Sequence, residues 1–277
     1  MMRHVVASVA FTLGLCSSAM AADFETADAL FAKRDQGREA TQQARTAYQA
    51  IVDQGAKDQD LIRATVGIAR TYLYEGSALL DVNDPEQKKQ RKQVFSDCWQ
   101  KTVESISPKN LGVSIPAYWY LRASCLAQEA EVSSVLERLA NLSKLNEAFE
   151  KGLALQDGDS FEGGGIKRVK AAVKGNPEAK GLPGGLFNPA EALKIIDEAI
   201  EAPATTSPGV STPEGFLYCE NYRRKIMTLN VLERGSEAKA LAAETVTNFN
   251  EYLAADILPE ILRAETVYCI DQVQKLM

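Results

Sequence analysis

The residues with the greatest potential for chemistry lie around a triple glycine near the middle of the chain. Gly163, Gly164 and Gly165 are followed by Lys167 and Arg168. Backbone N–H groups at the start of a helix face outward with a favourable dipole, so this segment could hold an anion. Its spacing does not match a G-x-x-x-x-G-K-[ST] phosphate loop or a G-x-G-x-x-G motif after a strand. The alternative is structural, because glycines also permit a turn or close helix packing.

A candidate ion pair occupies the same stretch. Glu162 precedes the glycines and Arg168 follows six residues later. If the two side chains are buried we expect them to pair, whereas a solvated surface pair would contribute little. A carboxylate at this position also provides a third functional hypothesis, an enzyme that uses Glu162 in a cleft beside the glycines.

The histidine content of the chain excludes several kinds of active site. The only histidine is His4, which lies in the segment assigned below to a signal peptide. Without it, a Ser-His-Asp or Cys-His arrangement and any histidine-containing metal site are excluded. The acidic pairs elsewhere fall on amphipathic helices, where such charges usually form the solvated face. We therefore predict a non-enzymatic protein with no catalytic residues, no metal and no cofactor.

The first 21 residues predict export. Arg3 precedes an apolar run, and the motif A-M-A follows at positions 19–21. The run is too short to span a membrane, so it is predicted to be a secretory signal peptide that is cleaved after Ala21. Cys16 suggests a lipoprotein instead, but Leu15 stands where a small residue is expected. No later stretch reaches transmembrane length. We predict a periplasmic protein.

The charge balance limits the classes of partner. The chain has 31 basic and 37 acidic residues, with a net charge of −6. An acidic balance with no basic block argues against nucleic acid and anionic membranes as partners.

Four cysteines remain after the predicted cleavage site. An even number in an oxidising compartment suggests two disulfides, for which three connectivities are possible. Cys98 and Cys125 lie on successive predicted helices, and Cys219 and Cys269 lie on two helices near the C-terminus. We predict the pairs Cys98–Cys125 and Cys219–Cys269, with free buried thiols as the alternative.

Helical periodicity dominates the rest of the chain. Apolar residues recur at helical spacing, and no apolar–polar alternation bounded by hairpin turns occurs. We predict an all-α fold for residues 22–277, a single tetratricopeptide-like α-solenoid of stacked antiparallel helix pairs with about eleven helices. A Gly/Pro-rich crossing at 175–187 interrupts the array. Asn188 and Pro189 then supply the N-cap and first position of a new helix.

Three consecutive aromatic residues, Tyr118, Trp119 and Tyr120, follow a helix start at Pro116. On a helix they point in directions about 100° apart, so at most two can face the core. One interpretation is two buried aromatics and one that is half exposed. The other places Tyr118 or Trp119 on the wall of a ligand groove.

Four segments together resemble a known family. They are AYWYLRASC (117–125), FEKGLALQ (149–156), DSFEGGGIKRV (159–169) and NPAEALKIIDEAI (188–200). Their order, behind an export signal and among tetratricopeptide-like pairs, is similar to the T-component of TRAP transporters (TatT-like proteins), a bacterial periplasmic family. The resemblance implies an all-helical protein that docks on a periplasmic solute-binding protein or holds an apolar ligand. Members commonly carry a lipoprotein cysteine at the mature N-terminus, and the A-M-A site departs from this.

These observations lead to a binding hypothesis. The concave face or tunnel of the solenoid would bury aromatic anchors, with a polar rim that sets orientation. The alternative is a general envelope scaffold without a ligand. The residues predicted to contact a ligand or partner are Tyr118, Trp119, Glu162, Gly163, Gly164 and Arg168.

Overall fold

A computed structural model describes residues 23–158, 160–182, 186–202 and 217–277. The predicted signal peptide lies outside the described residues. So does part of the predicted crossing, residues 183–185.

The described part of the chain is helical and contains no β-strand, which confirms the predicted all-α class. It has eleven α-helices of nine residues or more and one single-turn helix, α5. Their bounds are α1 Phe24–Ala32, α2 Arg38–Asp53, α3 Asp58–Ala78, α4 Pro85–Asp97, α5 Pro108–Leu111, α6 Pro116–Glu131, α7 Val135–Leu153, α8 Gly165–Gly175, α9 Pro189–Glu201, α10 Cys219–Val231, α11 Gly235–Ala254 and α12 Glu260–Gln274.

Local capping chemistry sets several helix starts. Ser134 and Glu137 form a reciprocal capping box at the start of α7. Asn188 Oδ1 accepts a hydrogen bond from the Glu191 amide at 3.1 Å, and Pro189 occupies the first helical position of α9. The predicted N-cap of this helix is therefore confirmed.

Each long helix packs chiefly on its neighbour in the chain, from α1 through α4 and from α6 through α12. Short turns join most of these neighbours, which therefore run antiparallel, as in a helical-repeat fold. The Gly/Pro-rich crossing is an excursion between two packed helices, α8 and α9. The two ends of the crossing lie next to each other, because the Asn188 amide donates to the Lys174 carbonyl at 2.9 Å.

The last helix also packs against the first. We call this contact, where α12 meets α1 and α3, the seam. Its members are Arg34, Tyr74, Ser77, Ile261, Glu265 and Tyr268. The fully buried Arg34 donates to the Ile261 carbonyl at 2.8 Å and pairs with Glu265 at 3.2 Å. Tyr268 donates to the Ser77 carbonyl at 2.8 Å. The helical array therefore closes on itself.

Both predicted disulfides are present. Cys98–Cys125 joins the turn after α4 to α6, with Cα atoms 5.9 Å apart. Cys219–Cys269 joins α10 to α12, with Cα atoms 6.1 Å apart. Because disulfides persist in oxidising compartments, the two bonds indicate such an environment.

Candidate ligand-binding cavity

The closed array borders a cavity of about 520 Å³. This volume falls in the range of small-molecule sites. Side chains from α3, α4, α6, α7, α8, α10 and α12 contribute to its wall, together with part of the crossing. Much of the wall is apolar, including Leu73, Leu126, Leu142, Leu145, Val169 and Val173. The cavity is thus built from helices that are distant in sequence.

The triple glycine forms a tight left-handed turn that leads into α8. Glu162, Gly163 and Gly164 have φ angles of 49°, 58° and 76°. A Cβ atom at Gly163 would collide with the ring of Tyr218, and one at Gly164 would lie 2.7 Å from the Cβ of Ala199. Close packing therefore requires glycine at both positions, in agreement with the structural alternative.

The amides at the start of α8 have protein partners. The Gly164 amide donates to the Ser160 carbonyl at 3.4 Å, and the Gly165 amide donates to the Phe161 carbonyl at 2.8 Å. These two groups are therefore occupied, which does not favour the anion cradle proposed for this segment. Neither Gly163 nor Gly164 borders the cavity.

Glu162 and Arg168 do border the cavity, but their side chains do not form the expected ion pair. The Glu162 carboxylate is paired instead with Arg70, at 2.7 Å. Both side chains are buried. The Arg168 guanidinium donates to the backbone carbonyl of Glu162 at 3.2 Å. The predicted pairing was wrong, because the Glu162 carboxylate forms its ion pair with Arg70, which lies on the distant helix α3.

Arg168 has a polar but uncharged shell. Its Nη1 donates to Asn221 Oδ1 at 2.8 Å, and its Nη2 donates weakly to the Tyr120 hydroxyl at 3.4 Å. The guanidinium carbon lies 6.0 Å from the ring centre of Tyr120 and 5.5 Å from that of Tyr218. Among the described residues, no carboxylate lies within 4 Å of this guanidinium. The side chain is nevertheless buried, with 7% of its surface exposed.

Near Arg168, the carboxylate of Glu220 forms ion pairs with two arginines. Glu220, in the first turn of α10, is contacted by Arg223 and Arg224 at 2.6 and 2.7 Å. Burial raises the pKa of Glu220, but the two guanidinium groups outweigh that effect and hold the pKa at about 2. Glu220 therefore stays ionised, and the three residues together carry one net positive charge.

The other charged residues of the wall also have partners, and one of them, Glu265, pairs with the seam residue Arg34, which does not border the cavity. Arg91 pairs with Glu131 at 3.2 Å, and Arg138 pairs with Glu178 at 2.7 Å. Within the described ranges, every arginine of the wall except Arg168 has a carboxylate partner, and the wall contains no lysine. The uncompensated positive charge is therefore concentrated around Arg168 and Glu220.

The aromatic triplet divides between core and cavity. Tyr118 and Trp119 are 3% and 4% exposed and do not border the cavity. Their polar atoms have local partners, since Tyr118 donates to Glu104 at 3.1 Å and Trp119 donates to Ser114 at 2.7 Å. Tyr120 is the member that faces the cavity. The structure therefore fits the interpretation with two buried aromatics, and it places neither Tyr118 nor Trp119 on the cavity wall.

No family model matches this chain, and no curated protein is detectably similar to it in sequence.

The groups on the cavity wall are suited to binding a small molecule. The described residues contain no cluster of three or more side chains able to hold a metal ion. Burial raises the pKa of Tyr120 and of Tyr218, so both phenols stay protonated at neutral pH and can act as hydrogen-bond donors or acceptors. Among the described helices, none is long and apolar enough to cross a membrane. What the wall provides is an apolar surface with a few fixed polar groups.

Most of the polar residues on the cavity wall were not predicted from the sequence. Arg70, Glu220, Arg223 and Arg224 were not among the predicted site residues, and neither was Tyr120. The spacing of Glu220 to the two arginines is i,i+3 and i,i+4, which indicates a local ion cluster on α10. No comparable signal links Arg70 to Glu162, because they lie 92 positions apart.

Proposed function

We propose that this protein is a non-enzymatic binding protein that holds an apolar small molecule inside its closed helical array. The observation that carries the proposal is the cavity of about 520 Å³, whose wall combines apolar side chains with a small number of oriented polar groups. Sites of this composition exclude water from an apolar ligand and fix its orientation.

A neutral, polarity-sensitive dye tests the proposal. We expect Nile red to bind the delipidated protein with a rise in fluorescence. Ala127 and Ala172 both border the cavity from different helices, so Ala127→Phe and Ala172→Phe should each fill it and weaken binding about tenfold or more. Ala243→Phe, on the exposed face of α11, is the matched control and should bind normally. Equal binding by all three variants would contradict the proposal.

We assign the protein to the periplasm, with a signal peptide cleaved after Ala21. The two disulfides support an oxidising location. The A-M-A motif supports the cleavage position. Intact mass of the exported protein tests both points: the mature chain should begin at Ala22, and its mass should show four cysteines in disulfide form. A lipid-modified Cys16 would contradict the assignment.

The resemblance to TRAP T-components supports a partner of a particular kind, a periplasmic solute-binding protein that exchanges ligand with the cavity. Crosslinking in intact cells followed by affinity capture tests this part of the proposal. A solute-binding protein, encoded beside genes for a membrane permease pair, is the expected product. Recovery of envelope assembly factors without a solute-binding protein would favour the scaffold alternative.

A further inference from the structure

The charges on the cavity wall restrict what the ligand can be. We propose that the cavity takes an anionic amphiphile, a molecule with an apolar chain and one carboxylate or phosphate headgroup that binds between Arg168 and Arg224. This inference rests on the proposed binding function and adds the chemical class of the ligand.

The charges on one part of the cavity wall favour an anionic ligand. Arg70, Arg168, Arg223 and Arg224 border one part of the cavity, where the carboxylates among the described residues are Glu162, Glu220 and Glu265. Glu265 is paired with Arg34, which lies behind the wall. Asn221 connects the two sides, because it accepts a hydrogen bond from Arg168 and follows Glu220 directly on α10. The described wall residues here therefore carry one positive charge in excess, and two when Arg34, the partner of Glu265, is counted with them, within a chain whose net charge is −6.

The environment of Arg168 also favours an anionic ligand. The Arg168 guanidinium is buried and has no direct ion pair among the described residues, although the nearby carboxylates of Glu162 and Glu220 attract its charge. Arg168 nevertheless has a fixed position, held by Asn221 and by backbone carbonyls of the glycine turn. A ligand anion would add a direct ion pair to Arg168 without any rearrangement of these groups. Preorganised positive groups of this kind bind anions at low entropic cost.

The apolar surface beside these charges favours a ligand with an alkyl chain. Val169, Ala172 and Val173 follow Arg168 along α8 and also border the cavity. Leu142 and Leu145 of α7 contribute further apolar wall. A small hydrophilic anion would leave this surface uncovered, whereas an alkyl chain attached to the headgroup would cover it. The combination therefore fits an amphiphile better than a free inorganic anion.

Three probes with the same alkyl chain test the proposal: hexadecanoate, hexadecyl phosphate and hexadecan-1-ol. Their affinities for the delipidated, disulfide-intact protein are measured at neutral pH by displacement of Nile red. We expect at least one of the anionic probes to bind about tenfold or more tightly than the alcohol, because charge-assisted hydrogen bonds form only with the anion. The stronger of the two identifies the headgroup. Inorganic phosphate, added alone, should not displace the dye.

Three substitutions and a control locate the headgroup. Arg168→Gln should reduce the preference for the anion to about twofold, and Arg224→Gln should reduce it in part. Glu220→Gln should raise anion affinity several-fold, because it releases two guanidinium groups from their own carboxylate. Arg122→Gln is the matched control. Arg122 is a half-buried arginine that pairs with Glu147 and does not border the cavity, so the preference should remain.

The outcomes separate the two levels of the proposal. If none of the three long-chain probes binds, the proposed function itself fails. If hexadecan-1-ol and both anions bind equally well, the protein binds apolar ligands but the inference about charge is wrong. If Arg168→Gln does not fold, the Arg224→Gln and Glu220→Gln variants still decide the question, since they predict changes of opposite sign.

Discussion

Two buried arginines show how differently one side chain can be used in this molecule. At the seam, Arg34 donates to two backbone carbonyls, pairs with Glu265, and lies with its guanidinium carbon 4.0 Å from the ring centre of Phe31. At the cavity, Arg168 has hydrogen-bond partners but no carboxylate among the described residues.

The difference is in what each arginine holds together. Arg34 joins the two ends of the helical array, and its charge is matched within the protein. Arg168 faces a cavity and has no direct ion pair among the described residues. The comparison suggests that Arg34 stabilises the fold and that Arg168 binds the ligand. The following predictions test this division, beginning with the largest expected effect.

The largest effect should come from the disulfide that ties the seam helix α12 to the cavity wall on α10. In the chain-entropy model, removing Cys219–Cys269 with a double alanine substitution should lower the free energy of unfolding by about 4 kcal/mol, for a separation of 50 residues. Removing Cys98–Cys125, with a separation of 27, should cost about 3.5 kcal/mol. Urea unfolding measures both, and a clearly larger loss from the second variant would contradict the account.

Replacement of the seam arginine should have the next largest effect. Arg34→Met removes an ion pair and two hydrogen bonds to carbonyls, so we expect the free energy of unfolding to fall by about 3 kcal/mol. Arg263→Met, on the seam helix α12, is the matched control. Arg263 is partly exposed and pairs with the exposed Asp256, so its loss should cost about 0.5 kcal/mol or less. Similar losses for the two variants would remove the special role of Arg34.

We expect the glycines of the turn before α8 to be needed for stability and not for contact with the ligand. Gly164→Ala places a Cβ atom against Ala199 at a positive φ angle, so we expect a loss of about 2 kcal/mol in the free energy of unfolding. Gly181→Ala is the control for backbone strain alone, since its φ is 87° and no atom lies within 4 Å of the added Cβ; it should cost about 1 kcal/mol. A Gly164→Ala variant of native stability that had lost ligand binding would show instead that the glycine contacts the ligand.

The smallest effect should appear in the pH dependence of stability. The pKa of Glu220 is lowered to about 2 in the folded protein, where Arg223 and Arg224 outweigh the opposing effect of burial. A depressed pKa stabilises the folded state above the ordinary glutamate pKa, and this stabilisation is lost as the pH falls towards 2. The difference in free energy of unfolding between the native protein and Glu220→Gln should therefore be greatest above about pH 4.5 and should shrink in acid. Urea unfolding of both proteins from pH 6 to pH 3 measures this difference. A difference in free energy of unfolding that grows in acid would contradict the assignment of Glu220 to an ion cluster with Arg223 and Arg224.

The fold was largely predictable because its signals are local. Helical periodicity and the Asn188 cap act within a helix, and each cysteine pair joins elements that lie close together along the chain, with separations of 27 and 50 residues. The closure of α12 on α1 was not predicted, since Arg34 and Ile261 lie 227 positions apart and no short pattern joins them. The cavity depends on that closure.

The candidate site was predictable only in part for the same reason. Glu162 and Arg168 stood out beside the glycines and do border the cavity. Their true partners come from α3 and α10, so the expected pairing was wrong. For the aromatic triplet, the sequence limits how many rings can be buried. It does not determine which one faces the cavity, because that depends on the rotation of α6 against its neighbours.

The most direct test of the account measures hexadecanoate and hexadecan-1-ol binding by calorimetry in the native protein, Arg34→Met and Arg168→Gln. We predict that Arg34→Met, at a temperature where it remains folded, keeps the native preference for the anion. Folded Arg168→Gln should lose most of that preference while it still binds the alcohol. A preference that disappears in Arg34→Met and persists in Arg168→Gln would contradict the division between a seam arginine and a ligand arginine.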